Sequence, residues 1–113
     1  MHCKLPVMRT YAYPSEMRLE KLSCYALDCS PGHGPWPYTI AGFYSRTLAS
    51  NPIDPEVRLA LIIILTAAVL KNRHNAEIVD KLKTIQVELL TANTADQVIS
   101  LGDRAAAACG LNL

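Results

Sequence analysis

The sequence predicts an all-α domain, a small orthogonal or antiparallel bundle of four to five helices around a central apolar helix, with an extended N-terminal arm. Three observations carry this expectation. Leu59 to Leu70, LALIIILTAAVL, is a run of twelve uncharged residues in which Thr66 carries the one polar side chain. Past Pro55 the chain contains no further proline and no aromatic residue, and is aliphatic, alanine-rich and suited to helix. Helix start and stop signals punctuate that half at Asp54-Pro55, Asn75, Thr94 and Gly110.

A chain of 113 residues is expected to form one domain, 1–113. At this size it buries roughly two thirds of its unfolded surface, so folding requires neither disulfide nor metal. All seven aromatic residues and all seven prolines lie at or before residue 55, yet neither half closes a core alone. The two compositions therefore read as layers of one domain.

Residues 1–14 read as the extended arm, with Pro6 and Pro14 bracketing Val7, Met8, Tyr11 and Tyr13. Ser15 then caps a helix over residues 16–28 whose inner face is Leu19, Leu22 and Ala26. Residues 29–38, CSPGHGPWPY, hold three prolines and two glycines and form a loop. Helical spacing resumes over 39–50, with Ile40, Phe43, Tyr44 and Leu48 on one face, until Asn51-Pro52 ends it.

The central helix starts at Asp54-Pro55-Glu56. Asp54 accepts from an orphan amide, Pro55 suits the first helical position and Glu56 meets the positive end of the dipole. Lys71, Arg73 and His74 suit its last turn. A surface helix needs only an apolar stripe, so a helix apolar all round is expected to be covered on every side. Its twelve apolar residues rise about 18 Å against a bilayer core of ~30 Å, which favours a buried core helix over a membrane span. Thr66 is expected to satisfy its hydroxyl on the Ile62 carbonyl.

Asn75 caps the next helix, to about residue 92, with Ile78, Val79, Leu82, Ile85, Leu89 and Leu90 inward and a Glu77–Lys81 pair outward. Thr94-Ala95-Asp96-Gln97 is a capping box, and the last helix runs to Cys109 before Gly110. Short connections make the last three helices antiparallel neighbours, and Ala105–Ala108 permit close approach.

Function is expected to be non-enzymatic: a protein-binding adaptor, regulator or inhibitor acting through contacts with another protein. No hydrolase, metalloprotease, phosphate-loop or dinucleotide motif is present in the sequence. The Pro-rich loop is the candidate contact, through His33, Pro35, Trp36 and Tyr38, with Tyr44 beside it. Pro35-Trp36-Pro37 pre-orders an extended backbone, and tryptophan is a common interface anchor. The competing reading folds Trp36 inward. Surplus apolar surface adds homodimerisation as a linked expectation.

Two alternatives come from other classes. Cys3, Cys24, Cys29 and His33, with His2 nearby, carry ligand types that suit zinc, although the spacing is wider than a usual pair and no second pair follows. The bland counterpart makes Cys24 and Cys109 small core residues. Lys71, Arg73, Lys81 and Lys83 form a modest basic patch for nucleic acid, but a net charge of +1 lacks the concentrated positive field such binding needs. No cofactor and no membrane contact are expected. Without an apolar secretory segment at the N-terminus, the cysteines read as reduced thiols and the location as cytoplasmic.

Overall fold

The chain winds about one helix, α3 (Pro55–Lys71), whose start is fixed by three adjacent residues. The Asp54 carboxylate accepts from the Glu56 amide at 2.8 Å, and Pro55 occupies the first turn, where its missing N–H costs nothing. The structure is a computed structural model and describes residues 14–28, 40–49 and 52–111. The described helices are α1 (Pro14–Leu27), α2 (Ile40–Ala49), α3, α4 (Ala76–Thr91) and α5 (Ala95–Ala108). All regular structure among the described residues is helical, which matches the predicted all-α bundle. The arm at 1–13 and the loop at 29–39 lie outside the described residues.

Each later helix begins and ends where its side chains dictate. The Asn75 side chain accepts from the Ile78 amide at 3.3 Å to open α4. Thr94 and Gln97 form the expected reciprocal box: the Thr94 hydroxyl accepts from the Gln97 amide, and the Gln97 side chain accepts from the Thr94 amide, each at 3.2 Å. At the far end of α5, Gly110 takes φ +75°, a conformation that a Cβ would strain. That turn lets Leu111 donate to Ala106 O at 2.9 Å and Gly110 to Ala107 O at 3.0 Å, satisfying two carbonyls that the helix end leaves without a helical donor.

α3 packs between α1 on one side and α4 on the other, and α5 packs on both of those. α2 lies across α5, α1 and α3. α3 and α4 run antiparallel, since Arg58 near the start of α3 reaches the end of α4, while Thr66 pairs with Gln86 further along. The core is aliphatic: Val57, Leu61, Ile64 and Leu65 from α3 meet Leu22 of α1, Leu82 and Leu89 of α4 and Val98 of α5, all fully buried. Ala105 and Ala106 are also sealed, and buried Gly102 lies against Leu19, so small residues let α1 approach α5 closely.

Four expectations need correction. α3 is not covered on every side: Leu59 is 56% and Leu70 60% exposed, because α1 and α4 close over one arc of the helix. Thr66 does not turn back to Ile62; its hydroxyl accepts from Gln86 Nε2 of α4 at 3.3 Å. Leu90, expected inside, is 67% exposed, because α4 seats Leu82, Ile85 and Leu89 and turns Leu90 outward. Leu48 likewise faces out from α2, while Tyr44 and Thr47 are buried.

A candidate protein-interaction surface

A helix can be apolar all round and still meet its neighbours along one stripe. In α3 the inward stripe is Val57, Ala60, Leu61, Ile64, Leu65 and Ala68. Leu59, Thr66 and Leu70 are exposed and Ile63 half-buried, at alternating spacings of four, three and four residues along the opposite flank. Such spacing keeps side chains in one line down a helix. On α4, Leu90 and Val87 are 67% and 64% exposed. Gln86 bonds Thr66 at 3.3 Å and Leu90 follows one turn later, so Leu90 extends the apolar flank across the α3–α4 seam.

The cations that bracket the apolar run are used inside the fold. The Arg58 guanidinium donates to Leu89 O and, at 2.7 Å, to Ala92 O. Those carbonyls end α4, where helical partners run out and the dipole is negative, so Arg58 caps α4 from the start of α3. Lys71 does the corresponding job for α1. Its ammonium donates to Tyr25 O at 2.7 Å, bonds the Asp28 carboxylate at 2.5 Å and lies 4.8 Å from the centre of the Tyr25 ring. With these charges drawn to the rims, the flank between them stays uncharged.

Two arginines pin the helix ends. Arg46 joins α2 to α3 by bonding Asp54 at 2.9 Å and Glu56 at 2.6 Å. Arg104 grips Glu88 with two hydrogen bonds of 2.9 and 2.6 Å, tying α5 to α4. These hydrogen bonds hold the Asp54 and Glu88 carboxyls below their usual range and raise both guanidinium pKa values.

Most of the sequence-predicted contact and zinc-ligand residues lie outside the described residues, and those that are described serve the fold. His33, Pro35, Trp36 and Tyr38 lie outside the described residues. Tyr44 is in the interior, 6% exposed, lining a small gap among α1, α2, α3 and α5 with room for no more than about one water molecule. Of the proposed zinc ligands, Cys3, Cys29 and His33 lie outside the described residues, and Cys24 is 4% exposed among core side chains. Among the described residues no cluster of three or more His, Cys, Asp or Glu side chains is placed to hold a metal. Cys109 is half-buried, and burial pushes its thiol pKa up, away from the thiolate form that reacts.

The basic patch is divided among internal tasks. Lys71 caps α1, Lys81 lies 3.4 Å from Glu77 as the expected i,i+4 pair, and Arg73 donates to Leu70 O at 3.0 Å. Lys83 is exposed on α4.

The sequence reading missed the open flank of α3 because hydropathy reports how apolar a helix is, not where its neighbours stand. A signal was present in the spacing: Glu56, Leu59, Ile63, Thr66, Leu70 and Arg73 form one line that is charged at both ends and polar near its middle. Among the described residues no helix is long and apolar enough to cross a membrane. Comparison of the chain with protein-family models, with curated proteins and with solved structures gives no match in any of the three.

Proposed function

We propose that this protein is a small non-enzymatic binding module, an adaptor, regulator or inhibitor that acts by occupying the surface of another protein. The observation that supports the reading is the exposed aliphatic flank of α3 and α4, where Leu59, Leu70, Val87 and Leu90 are each more than half exposed. Single exposed leucines are ordinary, but a line of them joined across two packed helices is the pattern of a contact surface. The flank is rigidly backed, since each of its helices buries its other side in the core, so little order is lost on docking. Self-association through the same flank belongs to this reading. Cytoplasmic residence belongs to this reading as well.

The test is capture and cross-linking from native lysate with the wild-type chain and with a Leu59→Glu/Leu90→Glu variant. Both positions are exposed, so the variant retains its helicity and thermal midpoint. Proteins cross-linked to the wild type and lost from the variant support the reading. Identical capture by both chains, with the wild type itself failing to associate, removes it.

A further inference from the structure

The exposed line on α3 has a symmetry that selects its occupant. Glu56, Leu59, Ile63, Thr66 and Leu70 follow one another at spacings of three, four, three and four, the seam spacing of two helices wound left-handedly about each other, and Arg73 stands three residues further on, in the turn that ends α3. All are exposed except Ile63, which is half-buried. The spacing reads the same in both directions: pairing each residue with the one equally far from the midpoint sets Leu59 against Leu70, Ile63 against Thr66 and Glu56 against Arg73. The two ends carry opposite charge. The Glu56 side chain is 70% exposed, and Arg73 folds over the last turn of α3 to donate to Leu70 O at 3.0 Å, beside the leucine it follows.

We infer that the occupant of this flank is a second copy of the same chain, with the two α3 helices packed antiparallel across a two-fold axis level with the helix midpoint between Ile64 and Leu65. The inference rests on the reading of the flank as a protein-contact surface and names its partner. In that register each Leu59 stacks on the partner copy's Leu70, twice over, as a two-fold interface requires. The acidic start of each α3 meets the basic end of the other, and the helix dipoles oppose favourably. A parallel pairing is selected against, because it sets Glu56 against Glu56 and Arg73 against Arg73 at the two rims. Leu90, across the Thr66–Gln86 contact, broadens the apolar strip beside the seam.

The test is a charge swap on the full-length chain, read by light scattering and sedimentation equilibrium from about 1 to about 200 µM. The wild type dimerises, and Glu56→Arg and Arg73→Glu each weaken the dimer about tenfold, since each reversal creates two like-charge contacts. The double variant E56R/R73E returns to within about threefold of the wild type, as both cross-pairs are restored with reversed sign. Glu56 also binds Arg46 within its own chain, so a second swap in the Leu59–Leu70 layer repeats the test away from that tie. Leu59→Lys and Leu70→Glu each weaken the dimer, and L59K/L70E recovers it. A wild type that stays monomeric across the range overturns the second-copy inference, and if it still loses captured proteins on mutating Leu59 and Leu90 the broader reading stands. A dimer whose double swaps are no tighter than their singles overturns the antiparallel register.

Discussion

The two flanks of α3 have nearly the same composition and opposite fates. One presents Val57, Leu61, Ile64, Leu65 and Ala68 to α1, α4 and α5 and is sealed; the other presents Leu59, Ile63, Thr66 and Leu70 and is largely open. Hydrophobicity therefore does not distinguish them. What does is the arc over which a short chain can supply neighbours, together with the cations that supply those neighbours' caps. Arg58 draws the end of α4 to one rim of α3, and Lys71 draws the end of α1 to the other. Both partners are placed by polar contacts, so the inner arc is chosen and the outer one is left.

The largest expected difference comes from cutting equivalent leucines on the two flanks. Leu61→Ala or Leu65→Ala removes a fully buried side chain and leaves a cavity, costing about 2–5 kcal/mol by denaturant unfolding. Leu59→Ala, at 56% exposure, stays within about 0.5 kcal/mol of the wild-type monomer. Equal losses at Leu59 and Leu61 would erase the distinction between the flanks.

Next in size is the cation that sets the inner arc. Arg58→Met keeps much of the aliphatic stem but strips Leu89 O and Ala92 O of their donor, a loss of about 1.5–3 kcal/mol for charge-assisted bonds. Amide exchange should then quicken at the end of α4 before elsewhere. Arg73→Met, which removes a bond to the exposed last turn of α3, changes unfolding of the monomer by no more than about 0.5 kcal/mol. A capping change gives the same kind of local readout: Thr94→Ala removes one half of the α5 box and costs about 1 kcal/mol. Loss confined to α5 protection would agree; an unchanged midpoint would not.

The sequence reading reached the helices because their boundaries are written in local chemistry. Asp54-Pro55, Asn75, Thr94 with Gln97, and Gly110 each act within a few residues, and each has the partner expected of it. The all-α class followed from the same residues. Where reading failed, the answer depended on another element. Helical spacing puts Leu89 and Leu90 on one apolar side, and only the positions of the neighbouring helices show which of the two turns inward. The capping role of Arg58 is not legible either, since nothing local says that the start of α3 and the end of α4 meet. Buried Glu16 and Glu20 were also missed, because an inner face defined by Leu19, Leu22 and Ala26 gives no hint that carboxylates share its interior. Tyr44, read as part of the contact surface, is buried for the same reason: interface composition is legible in a sequence, whereas exposure is a property of the assembled fold.

Acid offers the gentlest way to probe the ties at the rims of the two flanks. The Asp54 carboxyl is depressed mainly by its bond to Arg46 and then by the Glu56 amide, and Glu88 by Arg104. A folded pKa lower than the unfolded one adds stability that is full above the unfolded value, around pH 4, and is lost as pH falls through the folded value. The loss should be small, because these pairs are solvent-exposed and screened. It should also be graded in space. Replacing Glu88 with Gln should flatten the acid slope without altering self-association, because the Glu88–Arg104 clasp joins α4 to α5 away from the α3 line. Replacing Glu56 with Gln should weaken the dimer at neutral pH, where one of its two cross-chain charges has gone. If Glu88→Gln loosened the dimer as much as Glu56→Gln does, the contact would lie on the α4–α5 side, and the open flank of α3 would have to be explained in some other way.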